Sequence, residues 1–383
     1  MPTPPLSDEL AREALQALSE HSTQAAAADA LGLNRDTFRS RLKTAQTRGL
    51  HLSEGIRGAM QNARITQGEA QGGWIVNVDP ETGSRVSTRW KMPDTSVPDM
   101  IEGLQSAFSD ITPAAPRVPP ANVMADLCTL YPLMDVHFGM LAWGRETGAE
   151  NYDMSTAAGD MSYAFDKLDA LTPASQKAVL LIGGDFFHAD DNRAETPQSK
   201  HKLDVDGRQW KVLNDGVALI AKVVDRLSEK HSEVLVRVIR GNHDEHAHLI
   251  LTFALAERYR ECPRVSVEKE PRDLFMMQWG KCLIAGHHGD KAKPDRLAMY
   301  LSDVCEFWSA TRHRHIFTGH IHHDSTKDLG PVRWESLRAF CPPDSYAASM
   351  GYGGRRAIQS ITFHKQDGIV LRAIDPIERP HTA

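Results

Sequence analysis

The sequence predicts an α/β protein that carries a small, purely helical unit at its N-terminus. After Asn122, short apolar runs alternate with polar loops and amphipathic stretches, which is the pattern of strands and helices packed in layers. The first fifty residues instead show three helical periods in succession. The 383 residues also exceed the usual length of one domain. We therefore expect a helical unit over residues 1–50, a connector over 51–121 and the main domain over 122–383.

Capping and turn residues delimit the three predicted helices of the N-terminal unit. Ser7 can cap the first helix and Thr23 the second. Gly32 can end the second helix in a left-handed turn, after which Asn34 begins the third. Two helices joined by a short turn that contains glycine form a helix-turn-helix arrangement.

The third predicted helix concentrates positive charge. Its cations are Arg35, Arg39, Arg41, Lys43 and, just beyond, Arg48, beside the acidic Asp36. Such a face can bind the phosphates of DNA, and the alternative is an ordinary solvated surface. Residues 23–38 resemble the two-helix core of bacterial and phage helix-turn-helix domains. The resemblance implies that the third helix enters the major groove, with Arg35, Asp36, Arg39 and Arg41 facing DNA.

The connector contains a predicted β-hairpin and a proline-rich stretch. Residues 74–78 and 85–90 are typical of strands, and Asp79-Pro80-Glu81-Thr82-Gly83 between them is typical of a turn. The hairpin is either a ribbon packed on the main domain or a contact to nucleic acid through Arg85, Arg89 and Lys91. The prolines within residues 112–121 predict a linker.

Hydrophobic patterns predict the elements of the main domain. Predicted strands cover 127–133, 178–182, 234–239, 282–285 and 315–318, and predicted helices cover 154–171, 210–230, 246–260 and 295–308. After Gly330 the pattern becomes that of strands, at 332–339, 358–363 and 370–374. We expect these last strands to form a second, more antiparallel sheet packed on the first.

Composition and charge exclude several classes of protein. A chain with 41% hydrophobic and 25% charged residues is not wholly disordered or fibrous, and a net charge of −6 excludes a uniformly basic nucleic-acid coat. Neither a membrane-spanning apolar run nor a signal-like N-terminus is evident, so we expect a cytoplasmic protein with no membrane partner. The five cysteines are scattered and form no C-x-x-C pair, which predicts neither a disulfide framework nor a thiolate zinc site.

Histidines and carboxylates cluster where the predicted strands end. The clusters are Asp135-Val136-His137, Gly183-Gly184-Asp185-Phe186-Phe187-His188, Gly241-Asn242-His243-Asp244, Gly286-His287-His288-Gly289-Asp290 and Gly319-His320-Ile321-His322. Open α/β sheets hold their active sites at the carboxyl ends of strands, and alternate residues of an extended chain point the same way. A single histidine is more often structural, but five such clusters in series favour a site for hard or borderline dications.

This ordered set of motifs resembles the signature of the calcineurin-like metallophosphoesterase family. The resemblance covers roughly residues 122–376 and implies a β-sandwich flanked by helices, in the layer order α/β/β/α. It implies two divalent cations, Mn²⁺ first, with Mg²⁺, Fe or Zn²⁺ as alternatives. One cation would be held by Asp135, His137, Asp185 and His322, and the other by Asp185, Asn242, His288 and His320. In the fourth motif His288 fits the family better than His287, and the doublet leaves both open.

The resemblance also assigns catalytic roles. His243 would reach the substrate phosphate, and Asp244 would orient His243. Two neighbouring dications acidify a shared water and neutralise phosphate oxygens during in-line attack, while a protonated histidine can protonate the leaving oxygen.

Details of the motifs favour a phosphodiesterase. Asp135-Val136-His137-Phe138-Gly139 and the Phe187-His188 ending of the second motif are similar to the branch of double-strand-break repair nucleases. In that branch the last histidine assists cleavage at DNA ends, a role that His188 would inherit. The alternative for His188 is a hydrogen bond to a metal ligand. The polar segment 189–209 either lines a substrate groove or is an ordinary exposed insertion.

Three hypotheses for function follow. The first is a two-metal DNA phosphodiesterase of the kind found in phages and prophages, brought to DNA by its helix-turn-helix. The second is a phosphodiesterase or phosphatase for small nucleotides. The third is a DNA-binding regulator with an inert phosphoesterase domain, against which the intact ligand set argues. We expect DNA as a partner and leave a homodimer open.

Overall fold

The computed structural model describes residues 6–21, 23–47, 50 and 111–378, and the backbone of residues 72–78 and 85–91. The chain divides into two compact units, residues 1–100 and 101–383. Within the described residues, no helix combines the length and the apolar character that crossing a membrane requires.

Three helices form the described N-terminal part, as predicted. They are α1 (Asp8–Glu20), α2 (Gln24–Ala30) and α3 (Arg35–Thr47). The Ser7 hydroxyl accepts a hydrogen bond from Leu10 N at 3.3 Å, and the Thr23 hydroxyl accepts one from Ala26 N at 3.2 Å. These contacts confirm both predicted caps, because they satisfy N–H groups that lack partners in the first helical turn.

The turn between α2 and α3 requires a glycine. Gly32 has φ +66°, a left-handed conformation that other residues adopt at a cost. The turn lets α3 fold back so that apolar side chains form one core, made by Ala14, Ala17, Ala27, Ala28, Phe38 and Leu42.

The predicted hairpin is present in the first unit. Strands β1 (Gly72–Val78) and β2 (Arg85–Lys91) pair antiparallel, with Val78 opposite Arg85. The predicted turn at 79–83 lies outside the described residues. The choice between a packed ribbon and a nucleic-acid contact stays open.

The larger unit contains two β-sheets. In the six-stranded sheet, β3 (Met124–Leu133), β4 (Ser175–Gly183), β5 (Glu233–Ile239) and β6 (Val265–Glu268) are parallel neighbours, and β12 (Ile358–His364) and β13 (Gly368–Asp375) follow antiparallel beside β3. The five-stranded sheet has the order β10 (Ser325–Leu329), β11 (Val332–Ser336), β9 (His313–Thr318), β8 (Cys282–His287) and β7 (Phe275–Trp279), with β11, β9 and β8 parallel.

The two sheets pack face to face, and helices cover their outer faces. Alternate residues of β4 separate the layers, because Val179 and Leu181 enter the core between the sheets whereas Leu180 and Ile182 enter the outer core. The outer core of the six-stranded sheet is completed by α5 (Met154–Leu171), α6 (Gln209–Lys230) and α7 (Ala247–Arg258), and that of the five-stranded sheet by α8 (Pro294–Val304). Two short helices, α4 (Gly144–Thr147) and α9 (Ser345–Ser349), lie in connecting segments. The predicted α/β/β/α layering is confirmed.

One topological expectation was wrong. The strands after Gly330 do not form the second sheet by themselves, because β11 joins β8 and β9 whereas β12 and β13 extend the first sheet. Ile361 of β12 lies opposite Leu130 of β3, so the last strands fill the free edge of β3.

The proline-rich stretch packs along the larger unit. Ala114 N donates to the carbonyl of Arg258 at 2.7 Å, and Arg117 forms ion pairs with Asp225 and Glu229 on α6. Residues 112–121 therefore have a fixed position against α6 and α7. The domain boundaries at residues 50 and 121 stay predictions.

Candidate metal centre

The five sequence motifs meet at one edge of the sandwich. Parallel strands β3, β4 and β5 deliver Asp135, Asp185 and Asn242 just beyond their carboxyl ends, and β8 and β9 of the other sheet deliver His288 and His320. Two layers therefore contribute to one cluster, because the carboxyl ends of both parallel sets face the same edge.

The backbone of this cluster is strained. Left-handed φ angles of 48°, 48°, 50°, 69° and 58° occur at Asp135, His137, Asp185, His320 and His322, respectively. Each non-glycine residue in this region costs about 1–2 kcal/mol. Such strain persists only where the surrounding fold holds it in place. Its concentration at the predicted ligands is typical of functional sites.

One half of the cluster is built around His137. Its Nε2 lies 3.8 Å from Asp185 Oδ2, and one donor atom each of Asp135, His137 and Asp185 lies within 4.8 Å of the others. His322 Nε2 lies 3.6 Å from Asp135 Oδ1. The structure thus brings together the first predicted ligand set, Asp135, His137, Asp185 and His322.

The other half is built around His288. Its Nε2 lies 3.2 Å from Asp185 Oδ2 and 3.1 Å from Asn242 Oδ1, and donor atoms of Asp185, His288 and His320 lie within 4.8 Å of one another. The second predicted set is therefore also together, and Asp185 belongs to both halves.

The geometry favours His288 over His287. His288 Nδ1 donates to the carbonyl of Gly183 at 3.0 Å, which directs Nε2 toward Asp185 and Asn242. A second hydrogen bond of this kind commonly orients histidines that bind metals. The His287 Nδ1 atom instead accepts the N–H of Gly289 at 2.9 Å.

Burial and neighbouring charges shift the pKa values of the side chains in the cluster in different directions. Burial, reinforced by the neighbouring His243, holds the pKa of His137 well below its ordinary value, so this imidazole is neutral and can act as a ligand. Burial alone would raise the pKa of Asp185, but His288 and His243 hold it well below its usual value. Although burial opposes it, the Asp185 carboxylate raises the pKa of His288 to about 10.

These residues fit divalent cations. The His137 ring is buried, and its Nε2 has no hydrogen-bond partner. The buried carboxylates of Asp135 and Asp185 lie side by side. Buried polar atoms normally have partners, and neighbouring buried carboxylates need positive charge. Cations bound between these donors would give His137 Nε2 a partner and would supply the positive charge that the two carboxylates need.

His243 lies beside the cluster, with one ring nitrogen already engaged. Its Nδ1 lies 2.8 Å from the carbonyl of His188, which can only accept, so Nδ1 carries a proton. The ring centre is 4.6 Å from that of His137. A nitrogen of His243 also lies within 4.8 Å of nitrogens of His137 and His188, although the sequence does not predict it as a ligand.

The contacts of Asp244 differ from its expected role. Its carboxylate accepts the N–H groups of Gly241 at 2.8 Å, Phe186 at 2.9 Å and Phe187 at 3.2 Å. It thereby ties the second motif to the third, while the carbonyl of His188 orients the His243 ring. Burial and the charge of Asp185 raise the pKa of Asp244 to about 7, against the lowering effect of these N–H groups.

His188 is buried against a predicted ligand. Its Nδ1 lies 3.1 Å from His137 Nδ1. With the shared proton on His137, the Nε2 of His137 presents a lone pair to the cluster. This contact favours the alternative in which His188 positions a ligand.

A groove of about 840 Å³ opens over the cluster. Segment 189–209, for which the sequence left a groove lining and an exposed insertion open, contributes Thr196, Gln198, Ser199, His201, Lys202 and Leu203 to its wall. Tyr346, Tyr352 and Arg355 also line the groove. The His201 and Tyr346 rings lie 5.3 Å apart at 35°, and Tyr346 is 48% exposed.

The predicted DNA-contacting residues on α3 are not equivalent. Arg35, Arg39 and Lys43 are exposed. The Arg41 side chain is only 15% exposed, and its Nη1 pairs with Glu13 of α1 at 2.9 Å. Arg41 therefore links two helices of the unit, which makes it the weakest of the four candidates for a contact to DNA.

One residue of the cluster, Cys341, lies outside the five sequence motifs. Its sulfur lies within 4.8 Å of nitrogens of His137 and His322. No spacing pattern marked this cysteine, because it reaches the site from the segment that follows β11.

Comparisons with solved structures yield distant likenesses. No family model matches the sequence. No curated protein matches it. Among solved structures, Vps29 from Entamoeba histolytica, crystallised with Zn²⁺, has a TM-score of 0.29 at 11% identity and covers 65% of this chain and 99% of its own. A predicted phosphoesterase from Streptococcus pneumoniae has a TM-score of 0.29 at 11% identity, covering 66% and 99%. An archaeal phosphodiesterase has a TM-score of 0.32 at 12% identity, covering 64% and 99%. At such scores, function must be argued from this chain's own residues.

Proposed function

We propose that this chain is a metallophosphoesterase of the calcineurin-like family that hydrolyses phosphodiesters in DNA with two bound divalent cations. One observation carries the proposal, namely the convergence of all seven predicted ligands in one cluster, with left-handed backbone at five of them. Neither burial nor strand pairing requires this arrangement, whereas binding of cations does.

The ligands divide into the two predicted sets that share Asp185. For the predicted ligands alone Mn²⁺ is the first choice, with Mg²⁺, Fe or Zn²⁺ as alternatives, because imidazole and carboxylate donors suit all four. When bound, such cations polarise phosphoryl oxygens and lower the pKa of water for in-line attack.

His243 is the proposed proton donor to the leaving oxygen. Its Nδ1–H is committed to the carbonyl of His188, and the residue lines the groove, so Nε2 is the nitrogen available to a substrate. A protonated Nε2 can donate as the phosphorus–oxygen bond breaks, and a neutral one cannot. Asp244 supports this role indirectly by fixing the loops on either side.

Two observations support DNA as the substrate. Exposed aromatic and basic side chains line the groove, including Tyr346, Tyr352 and Arg355, and such groups bind stacked bases and phosphates in single-stranded nucleic acids. Exposed Arg35, Arg39 and Lys43 on α3 follow a helix and a glycine turn, which is the arrangement that docks a helix in the major groove.

A phosphodiesterase for small nucleotides is the second candidate. The groove volume of about 840 Å³ favours it, since clefts of this size can enclose a nucleotide-sized ligand. Under this alternative, α1–α3 serve assembly or regulation and do not deliver DNA.

A substrate panel separates the candidates. We expect full-length protein with Mn²⁺ to hydrolyse bis-p-nitrophenyl phosphate and to cleave plasmid, linear duplex or single-stranded DNA faster than cyclic nucleotides. Chelator should abolish cleavage and His243→Ala should slow it about 10²-fold, whereas His313→Ala, at the amino end of β9, should retain it. Hydrolysis of nucleotides alone would reject the hypothesis of a DNA substrate. Inactivity toward every phosphoester with every cation would reject both candidate functions.

A further inference from the structure

The candidate metal centre contains a sulfur atom that the sequence motifs do not include. Cys341 is 4% exposed, and its Sγ lies within 4.8 Å of ring nitrogens of His137 and His322. Two backbone hydrogen bonds fix this position, from Phe340 N to the Met134 carbonyl at 3.0 Å and from Cys341 N to the Asp135 carbonyl at 3.2 Å.

The other cysteines do not share this environment. All five are buried thiols within the described residues, and among them only Cys341 lies in a group of potential metal ligands. Cys128 and Cys282 lie in the core between the sheets, Cys262 donates to the carbonyl of Ala114, and Cys305 packs beside α8.

An independent observation indicates that a ligand is needed at this point. The His137 Nε2 atom is buried without a hydrogen-bond partner, and the contact of this ring with His188 is made by Nδ1. An imidazole lone pair enclosed beside a thiol and a second imidazole is a donor set for a borderline or soft cation. Packing alone accounts for a buried cysteine but leaves this nitrogen unsatisfied.

We propose that Cys341 Sγ is an additional ligand of the cation held by Asp135, His137, Asp185 and His322. The inference rests on the metal centre of the proposed function and extends its ligand set. Binding forms a metal–sulfur bond and releases the thiol proton to solvent, without any change in oxidation state.

A thiolate ligand changes the expected metal preference. Sulfur donors select Zn²⁺, Co²⁺ or Fe²⁺ over Mn²⁺ and Mg²⁺, which prefer oxygen. This half of the centre should therefore bind softer cations than the half made by Asn242, His288 and His320. Replacing the sulfur should shift the preference back toward Mn²⁺.

Cobalt(II) provides a test that does not depend on activity. Chelator-treated full-length protein is titrated with Co²⁺ while visible ligand-field bands and near-ultraviolet absorption are recorded. We expect both the ligand-field bands and a sulfur-to-cobalt charge-transfer band in the wild-type protein. Cys341→Ser and Cys341→Ala should lose the charge-transfer band, and Cys341→Ser should keep the ligand-field bands.

Cys262→Ser is the matched control, because a hydroxyl can keep the hydrogen bond to Ala114. It should retain both spectral features, and circular dichroism should verify that every variant is folded. Ligand-field bands without a charge-transfer band in the wild type, or a charge-transfer band that persists in the folded Cys341 variants, would overturn this inference and leave the metal centre standing. Failure of the folded wild-type protein to bind Co²⁺ at all would overturn the metal centre itself, and the inference with it.

Discussion

Two buried polar clusters lie near opposite ends of the six-stranded sheet, and they differ in how fully their polar atoms are satisfied. Near the amino ends of β4 and β5, the Thr129 hydroxyl contacts those of Ser175 at 2.6 Å and Thr362 at 3.1 Å. His231 accepts the Ser175 N–H at 3.1 Å and contacts the Tyr131 hydroxyl at 3.0 Å. Each of these side chains has a partner, and none needs a net charge.

The cluster at the carboxyl ends has the opposite character. It collects carboxylates and imidazoles on strained backbone, and His137 Nε2 and His188 Nε2 have no partner. A satisfied buried network stabilises the fold, whereas an unsatisfied and charged one costs stability unless a ligand completes it. The contrast separates a structural cluster from a functional one within the same sheet.

The largest expected effect on hydrolysis comes from Asp185→Asn. Loss of the carboxylate shared by both ligand sets should reduce kcat/KM at least about 10³-fold, because several kcal/mol of charge stabilisation depend on the cations it holds. The measurement is Mn²⁺-dependent hydrolysis of bis-p-nitrophenyl phosphate by folded protein. Retention of more than a tenth of wild-type activity would contradict the assignment.

Thr129→Val is the matched change in the satisfied cluster. It removes a hydroxyl with two buried partners and should lower the free energy of unfolding by about 1–3 kcal/mol. Hydrolysis per folded molecule should stay at the wild-type level, since the cluster contributes nothing to the site. Urea unfolding and the same assay check both parts.

His243→Ala should separate catalysis from metal binding. We expect kcat to fall about 10²-fold, the usual contribution of a general acid, with little change in bound metal. Elemental analysis beside kinetics makes the distinction. If the variant loses metal in proportion to activity, His243 is a ligand and not the proton donor.

On α3, Arg41 is held in an ion pair, whereas Arg35 and Arg39 are exposed to solvent. Arg35→Ala and Arg39→Ala should each weaken duplex binding and lower the slope of log K against log salt by about one per lost phosphate contact. Arg41→Ala should change the slope less, because Arg41 is paired with Glu13. Arg12→Ala, on α1, is the control of equal charge. Equal slopes for all four variants would remove the role of α3.

His231→Gln tests the satisfied cluster through pH and, like Thr129→Val, should leave hydrolysis unchanged. Burial lowers the pKa of His231 to about 4, so the folded protein keeps it neutral while the unfolded chain protonates near pH 6.5. Protonation of the unfolded chain therefore lowers the free energy of unfolding as pH falls from about 6.5 toward 4, by about 3 kcal/mol in total. Above about pH 6.5 this loss is absent. Urea unfolding of metal-free protein at pH 7 and pH 5 should give a shallower pH dependence for the variant than for wild type. Identical dependences would show that His231 does not contribute.

The central strands of the two larger sheets were predictable, whereas three of their four edge strands were not, β13 being the exception. Strands β3, β4, β5, β8 and β9 are flanked on both sides and form apolar runs visible in the sequence. The missed strands β6, β7 and β10 all lie at sheet edges, and β10 reads Ser-Thr-Lys-Asp-Leu. Polar residues suit an exposed edge, so no hydrophobic pattern marks β10. The placement of β12 and β13 failed because pairing between β12 and β3 is set by contacts distant in sequence.

The motifs of the site were visible because each follows a strand and has a fixed spacing. Left-handed backbone at Asp135 or His320 leaves no trace in composition, and Cys341 belongs to no repeat of spacing. The pairing of Arg41 with Glu13 depends on how α1 packs on α3. These three features depend on tertiary contacts, so local sequence patterns could not predict them.

Metal stoichiometry tests the central claim most directly. Chelator-treated, full-length protein should bind two Mn²⁺ or Co²⁺ ions per chain in calorimetry combined with elemental analysis. His288→Asn should remove one of them, and His287→Asn should remove none. A folded wild-type protein that binds neither ion would contradict the account of this cluster as a metal centre.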